Sequence, residues 1–553
     1  MSPTDKDRAA PGVFINEKGA FPPSLVGVET AIAGFIGYTA KAEVGSKPVG
    51  FKPVKIDSLA DFEAAFGDAF RSTFDLTEVP LSAADFAAQR WNAAAQVFEQ
   101  KYYALVRTSA VFNLYNSVRL FYANGGRACY VVSVGDYTDG GAAPDGALID
   151  AAKLTQGLTA IGTQTGPTML VVPDAVLLTP DASSQGLPAS TAFNALAQAM
   201  LAQCGALQDR VAILDVYGAD ALDPKAPKNR TFDNDLTILI ESFQNGIGDS
   251  FLNYGMAYFP FLVRSIVAAN EIDYRSFDIR KPEQLALLQG ILTDTAAQLY
   301  PDPPNPGPAQ NRNPQFLALK KMIAAIPMTT GDSAVVKLND SLTAAIPLLA
   351  QMEALVAKKL NLLPPSSAMA GVYTFVDASR GVWNAPANMT LNSVASASVK
   401  LTDQQQSGLN APLNGKAVNV IRDFVGRGPV VWGARTLDGN SLDYRYIQVR
   451  RTLIYIEASI KAALSPFAFA ANDGKAWIAV TAMVSAFLTN LWSMGGLMGA
   501  KADEAFTVQC GLGSTMTSMD ILEGTMIVQV TLQMIRPAEF VALTFKQKME
   551  GVG

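Results

Sequence analysis

The stretch ACYVVSV at residues 128–134 decides the fold class expected of this 553-residue chain. It is a continuous apolar segment rich in valine, which is typical of a strand buried on both faces. Two segments of the same kind follow, TMLVVPD at 168–174 and RVAILDV at 210–216, and a helical pattern at 190–207 lies between those two. Strands that alternate with helices predict βαβ units, and therefore an α/β protein with a parallel or mixed sheet.

Further elements are predicted on both sides of this region. Asp57 or Ser58 is expected to cap a helix that ends near Gly67. An alanine-rich helix is expected over residues 83–123. Later in the chain, strands are predicted at 418–424 and 430–437, and helices at 346–360 and 446–464.

Near its end the chain carries a strict alternation of side chains, TMIVQVTLQMI at 525–535. A period of two predicts a strand, here with Val528, Val530, Leu532 and Met534 on one face. The pair Arg536-Pro537 interrupts the pattern, because proline cannot donate to a strand ladder. A second strand is predicted at 539–545, and its apolar residues are Phe540, Val541, Leu543 and Phe545.

The beginning of the chain also predicts a short extended segment. Val13, Phe14 and Ile15 favour a strand, and Pro11-Gly12 precedes them. A strand this short does not form a sheet by itself, since an isolated two-stranded pairing is already marginal in water. The segment is therefore predicted to complete another sheet.

Composition excludes several kinds of catalytic and metal site. The chain contains no histidine, which removes His-dependent triads and His-ligated metal sites. Its three cysteines, Cys129, Cys204 and Cys510, are far apart and favour small apolar side chains in a reducing compartment over zinc or iron–sulfur ligands. A net charge of −6 argues against coating nucleic acid. The first residues lack the apolar segment of a secretory signal.

Short motifs that suggest catalysis have plainer interpretations. GRGPVVWG at 426–433 lacks the spacing of a phosphate-binding loop and favours a turn that leads into a strand. Ser366 and Ser367 have neither a histidine nor a nucleophile elbow. No catalytic residue, metal site or cofactor is therefore predicted.

Charged residues are likewise expected to be structural. Asp174, Asp215 and Asp377 are expected at caps and turns, with paired Mg²⁺ ligation as the alternative. Lys358-Lys359 and Arg450-Arg451 are expected on solvated helix faces, and the arginine pair alternatively meets a partner's carboxylates.

One uncharged segment, residues 477–500, meets the length of a membrane span, which is about 20 residues. Polar residues interrupt it, and Gly495-Gly496 ends the helix early. Its larger apolar residues recur at helical spacing on one wide face. A buried or interface helix is therefore predicted instead of a membrane span.

Several segments, in order along the chain, resemble the contractile tail sheath protein family. PGVF at 11–14 and VGVETAIAGFIG at 26–37 resemble the family's N-terminal arm and the entry to its first strand. The resemblance continues through PPSSAMAGVYTFVDASRGVWNAPAN at 364–388, VNVIRDFVGRGPVVWGARTL at 418–437 and MIRPAEFVALTF at 534–545. These matches extend over nearly the whole chain.

The resemblance implies a multi-domain subunit of mixed α/β (α+β) class. The expected parts are a subtilisin-like α/β middle domain, a C-terminal α+β domain and extended strand arms at both ends. The implied boundaries are 1–24 for the N-terminal linking arm, 25–435 for the N-terminal and middle domain with an insertion at about 280–360, 436–525 for the C-terminal sheath domain, and 526–553 for the C-terminal strands and linking arm.

The resemblance also implies a structural, non-enzymatic function. Family members polymerise helically around an inner tube and contract to drive that tube through a target envelope. The implied partners are further copies of the chain in stacked hexameric rings, the inner tube protein, baseplate and terminator or cap proteins, and a second sheath paralogue. Neither nucleic acid nor membrane is a direct partner. Assembly in the bacterial cytoplasm is implied, within a phage tail or a tail-like particle that is released extracellularly.

Site residues follow from the same resemblance. The arm residues Pro11–Ile15 are expected to add as a strand to a neighbouring subunit. The C-terminal residues predicted above, from Val528 to Phe545, are expected to build the receiving sheet and a second linking arm. The helix at 480–492 resembles one that faces the inner tube, where relatives carry Arg and Lys. Because it is uncharged here, the tube contact is expected to be apolar or to involve Asn490, Lys501, Asp503 and Glu504.

Two other classes of protein remain open at this point. One is an α/β enzyme of unknown chemistry, and the other is a non-contractile tube or capsid protein. Removal of the arms separates these classes, because an enzyme keeps an active core whereas a sheath subunit loses assembly.

Overall fold

The structure, a computed structural model, describes residues 25–181, 187–222, 231–302 and 307–539. The predicted N-terminal arm, Pro11–Ile15, and the predicted strand residues Phe540, Val541, Leu543 and Phe545 lie outside these ranges. The described chain divides into two units: a large one of residues 29–454 and 536–539, and a small one of residues 25–28 and 455–535.

The described strands are β1 Ala33–Thr39, β2 Glu43–Val44, β3 Lys47–Pro48, β4 Val54–Ile56, β5 Phe74–Glu78, β6 Phe86–Asn92, β7 Val97–Arg107, β8 Cys129–Asp136, β9 Met169–Val171, β10 Val211–Asp215, β11 Gly255–Phe259, β12 Leu262–Arg264, β13 Leu362–Leu363, β14 Val394–Ala397, β15 Val418–Phe424, β16 Gly428–Val431, β17 Phe506–Gln509 and β18 Gln529–Leu532. The described α-helices are α1 Leu59–Phe66, α2 Leu114–Ala123, α3 Ala151–Gly162, α4 Thr191–Leu207, α5 Phe232–Gly246, α6 Pro282–Leu299, α7 Pro314–Ala325, α8 Asp332–Ala345, α9 Pro347–Leu360, α10 Ser366–Arg380, α11 Asp403–Asn410, α12 Ile447–Leu464, α13 Gly474–Ser493, α14 Ala502–Ala505 and α15 Ser518–Leu522.

The large unit is built on an eight-stranded sheet of order β16-β15-β11-β10-β9-β1-β8-β4. The six inner strands are parallel to one another, whereas β4 and β16 pair antiparallel at the edges. Every residue of β1, β9, β10 and β11 is buried, as expected of strands covered on both faces. The predicted α/β class is confirmed.

Local sequence signals explain the helices around this sheet. Ser58 caps α1 by accepting a hydrogen bond from the Asp61 N–H, and Ser190 caps α4 by accepting one from Phe193. Gly157 allows α3 to approach the sheet closely, because a Cβ there would lie 2.5 Å from Val134 Cγ1.

A second hydrophobic core in the large unit joins β5, β6 and β7 to the helices α6–α9. The predicted helix over 83–123 is wrong for most of its length. Residues 86–107 form the hairpin β6–β7, and only Leu114–Ala123 is α-helical. Alanine-rich composition favoured helix, but buried residues at alternate positions, such as Phe86 and Ala88, pack as a sheet against α6.

The small unit contains α13, α14, α15, the antiparallel pair β17–β18 and the second half of α12. Helix α13 packs against β17. The predicted strand over 525–535 is shorter than expected, since only Gln529–Leu532 forms a strand, with one further bridge between Met534 and Leu497. Residues 525–528 precede the paired segment without a strand partner among the described residues.

Candidate functional site

The β17–β18 pair is the candidate site, because it is a sheet of only two strands with a half-buried apolar face, whereas the two-stranded sheet β2–β3 is exposed throughout. Phe506 pairs with Leu532, and Gln509 pairs with Gln529. Within the described residues no third strand pairs with β17 or β18. A two-stranded sheet is marginal by itself, and each of its edges presents N–H and C=O groups to an incoming strand.

The direction of these backbone groups follows from one hydrogen bond. The Gln533 N–H donates to the Ala505 carbonyl at 2.8 Å. Because successive residues of a strand point their backbone groups to opposite sides, Gln529, Thr531 and Gln533 face β17. Val530 and Leu532 therefore present their N–H and C=O groups to the open edge.

Side-chain burial on β18 follows the predicted period of two. Val528, Val530, Leu532 and Met534 are half-buried. Gln529, Thr531 and Gln533, on the other face, are exposed. The apolar face is thus only partly covered within the subunit.

The three-stranded sheet β5-β7-β6 is protected at both edges. The Leu76 N–H of the edge strand β5 donates to Gln284 Oε1 at 2.8 Å. On the other edge strand, β6, the Trp91 N–H donates to Asp294 Oδ2 at 3.2 Å. Side chains of α6 thus satisfy edge groups, which is a common defence against unwanted pairing. No side-chain bond of this kind is found at Val530 or Leu532 in the described chain.

Helix α13 buries one apolar face. Beyond Lys475 in its first turn, its exposed residues carry no charge. Val480, Val484, Phe487, Leu488 and Leu491 are buried, together with Met483. By length and composition alone, Gly474–Ser493 is the one described helix suited to cross a membrane, and a third of its most apolar window is buried. One face is therefore covered by protein, in line with a buried or interface helix.

The predicted tube-contact residues lie beside this helix in the small unit. Asn490 is exposed near the end of α13. Lys501, Asp503 and Glu504 are exposed at α14, where the Glu504 carboxylate accepts a hydrogen bond from the Ala500 N–H at 3.0 Å. The structure thus places all four residues in one unit and at its surface.

The arginine pair on α12 is buried, so the predicted solvated face is wrong. Arg451 makes a bidentate ion pair with Asp377 of α10 at 2.8 and 2.7 Å. Both side chains are only 3% exposed. Arg450 is also buried, and its guanidinium stacks over Tyr254 at 4.6 Å from the ring centroid. Asp377 is therefore an ion-pair residue within a helix and not a cap.

The other two predicted carboxylates do cap chain segments. Asp174 follows β9 and accepts hydrogen bonds from the Tyr38 N–H at 2.9 Å and the Asn113 N–H at 2.6 Å. Burial raises the pKa of Asp174 to about 6, although these donors lower it. The order in which strands are added to the sheet changes direction between β1 and β9. Open α/β sheets commonly bind ligands at such a point. Here Asp174 fills that position with internal hydrogen bonds.

Asp215, at the end of β10, binds the start of α10. Its carboxylate accepts hydrogen bonds from the Ser366 N–H at 2.8 Å and the Ser366 hydroxyl at 2.6 Å. Burial raises the pKa of Asp215 to about 7. Ser366 and Ser367 are fully buried, so the geometry offers them no access to substrate. Among the described residues no group of three or more Cys, Asp or Glu is placed to hold a metal ion.

The C-terminal part of the chain matches a known family model. Residues 440–548 match the phage tail sheath C-terminal domain. No curated protein sequence matches the chain.

Solved structures extend the likeness to the whole chain. The helical sheath of the anti-feeding prophage in its contracted state is 25% identical, with 98% of this chain and 99% of that chain covered and a TM-score of 0.53. A chain of the anti-feeding prophage baseplate is 24% identical over 98% and 99%, with a TM-score of 0.54. The sheath of an extracellular contractile injection system, PVC, also in the contracted state, is 23% identical over 98% of each chain, with a TM-score of 0.54.

These comparisons support a contractile tail sheath subunit and confirm the resemblance predicted from the sequence. A structural role for the chain follows from the same likeness.

Proposed function

We propose that this chain polymerises helically around an inner tube and, on triggering, contracts to drive that tube through a target envelope. The observation that carries this proposal is the two-stranded sheet β17–β18, whose outer edges have no strand partner in the described chain. An exposed edge that carries no protective charge is a liability in a monomer and an advantage in a polymer.

The segments that complete the sheet are the two ends of other subunits. The arm Pro11–Ile15 supplies one strand, and the apolar residues between Phe540 and Phe545 supply the other. Each added backbone hydrogen bond contributes a net stabilisation of about 0.5–1.5 kcal/mol. Two arms per subunit, repeated along a lattice, hold the subunits together while they pivot as rigid bodies.

Donation from one subunit to the next is a heterologous contact. When such a contact does not close into a ring, it generates a helix. Stacked hexameric rings, an inner tube protein, and baseplate and terminator proteins complete the proposed machine, and a second sheath paralogue is a further candidate for the lattice. The solved relatives come from a helical sheath, a sheath complex and a baseplate.

Stored lattice energy, and not nucleotide hydrolysis, is the proposed source of work. The sequence has no phosphate-binding loop, and the buried carboxylates of Asp174 and Asp215 accept internal hydrogen bonds. Extended particles are therefore expected to contract without added nucleotide. Contraction that required ATP would contradict this part of the proposal.

The inner tube is proposed to contact the exposed, uncharged face of α13, with Asn490, Lys501, Asp503 and Glu504 at its margin. Between Trp477 and Ala500 the chain carries no charged residue. An apolar contact is weakly sensitive to salt, whereas exposed charge pairs are screened within about 10 Å at 0.1 M ionic strength. Sheath–tube association that weakens steeply with salt would contradict the apolar contact.

Negative-stain electron microscopy of the purified chain at high concentration tests the proposed function. Hollow striated tubes of uniform width are expected. Substitution of Val13 and Phe14 by Asp is expected to abolish them, because adjacent strand residues point to opposite faces and one of the two charges must therefore enter the apolar face of the sheet. The matched control is Val44→Asp, which adds a charge to an exposed strand of the large unit. Normal tubes from the arm variant would contradict donation of the N-terminal arm.

A further inference from the structure

The carboxylate of Glu539 is held by three side chains of the large unit. Arg435 binds it bidentately, with Nε to Oε1 at 2.9 Å and Nη2 to Oε2 at 2.7 Å. Asn410 Nδ2 donates to Oε1 at 2.7 Å, and the Tyr446 hydroxyl donates to Oε2 at 3.2 Å. Charged fork-like pairs of this kind are the strongest side-chain hydrogen bonds.

The receptor for this carboxylate is itself fixed in the large unit. Arg435 is 7% exposed, and its Nη1 donates to the Asn410 carbonyl at 3.0 Å. The buried Asn419 of β15 accepts a hydrogen bond from the Arg435 N–H at 2.7 Å, and its own amide donates to the Arg435 carbonyl at 2.7 Å. Asn419 also donates to Ala257 in β11, so the receptor is continuous with the eight-stranded sheet.

Electrostatics keep Glu539 ionised. Burial opposes its charge, but the hydrogen bonds from Arg435 and Asn410 outweigh burial and hold the pKa of Glu539 below its usual value. The carboxylate is 20% exposed, so it is shielded without being isolated from solvent. The ion pair therefore persists at neutral pH.

Glu539 directly precedes the segment that the proposed function assigns to a neighbouring subunit. We propose that Glu539 is a positioning residue: its carboxylate anchors the chain on the large unit and fixes the point from which residues 540–553 leave for the neighbour. This inference rests on the proposed function, because the anchored segment is the donated arm.

Glutamyl endopeptidase cleaves after glutamate, so digestion of the unassembled subunit tests whether Arg435 binds the Glu539 carboxylate and protects this site. Cleavage after Glu539 is expected to be slow in the wild type and at least tenfold faster in Arg435→Met. The matched control is Arg422→Met, which removes a guanidinium paired with the exposed Asp403. Equal cleavage rates at Glu539 in the wild type and in Arg435→Met would overturn the anchor.

Assembly tests whether the anchor positions the arm. Glu539→Gln is expected to keep the thermal midpoint of the subunit and to raise the concentration needed for tubes about tenfold. The double exchange Arg435→Glu with Glu539→Arg is expected to restore a large part of assembly, which a purely structural role would not require. Wild-type assembly by Glu539→Gln would overturn the positioning role. If Glu539 is protected but no variant, wild type included, forms tubes, the anchor stands and the proposed function fails.

Discussion

Replacement of Val530 by proline tests the open edge of β18 most directly. The Val530 N–H points away from β17, so proline removes no hydrogen bond of the β17–β18 ladder. Proline is tolerated in edge strands for this reason. The subunit is therefore expected to fold, with the wild-type circular dichroism spectrum and thermal midpoint.

The effect on assembly follows from the lost donor. An added strand at this edge loses one hydrogen bond, worth a net of about 0.5–1.5 kcal/mol, and leaves an incoming carbonyl unpaired. Together we expect about 2 kcal/mol per contact, which corresponds to a roughly 30-fold higher concentration for assembly. Sedimentation of tubes over a concentration series measures this shift.

Two control variants make the result specific. Val530→Thr keeps the N–H and a β-branched side chain, and wild-type assembly is expected. Thr531→Pro removes an N–H that faces β17, so the ladder itself weakens and the small unit loses stability. Assembly of folded Val530→Pro at the wild-type concentration would refute strand addition at the β18 edge.

Three further predictions concern the large unit. Arg451→Met strands the buried Asp377 charge and is expected to lower the free energy of unfolding by about 3–5 kcal/mol in urea denaturation; a loss below 1 kcal/mol would contradict this. Burial raises the pKa of Asp215 to about 7 in the folded chain from its ordinary value of 3.8, so its stabilisation is complete below about pH 4 and is lost as pH rises through 7. The wild type is thus expected to unfold at a higher temperature at pH 5 than at pH 8, with a smaller difference in Asp215→Asn. Gly157→Ala forces a Cβ against Val134 and is expected to cost about 1–3 kcal/mol by the same denaturation assay.

The buried strands were predictable because their signal is local. ACYVVSV corresponds to β8, Cys129–Asp136, and RVAILDV corresponds to β10, Val211–Asp215. A continuous apolar run of this length has few alternatives in an α/β chain once helices flank it. Helix caps were predictable for the same reason, as Ser58 demonstrates.

The errors arise where contacts distant in sequence decide the outcome. The hairpin β6–β7 was predicted as helix, because alanine favours helix locally while pairing partners and α6 impose a sheet. Arg450 and Arg451 were expected in solvent, because a sequence does not reveal that Asp377 lies opposite, 74 residues earlier. Contacts with residues distant in sequence therefore bury two arginines that the local sequence pattern places at the surface.

Glu539 is the functional candidate that the sequence analysis missed. Its sequence signal was present: one carboxylate stands at the start of an apolar strand pattern, EFVALTF. An isolated charge in such a pattern requires a partner or solvent. The partner, Arg435, is 104 residues away along the chain, so only the fold identifies it.

Two of the small sheets in the described chain, β5-β7-β6 and β17-β18, together argue that the open edge is selected and not accidental. In the large unit, one outer N–H of each edge strand, that of Leu76 in β5 and that of Trp91 in β6, donates to a side chain of α6. The chain thus has the means to close a sheet edge with side chains. In the small unit the edge of β18 keeps half-buried apolar residues and uncharged neighbours instead. A monomer would gain solubility from a lysine or a cap at that edge, so an unprotected edge is what we expect if, as proposed, a strand arrives from another subunit.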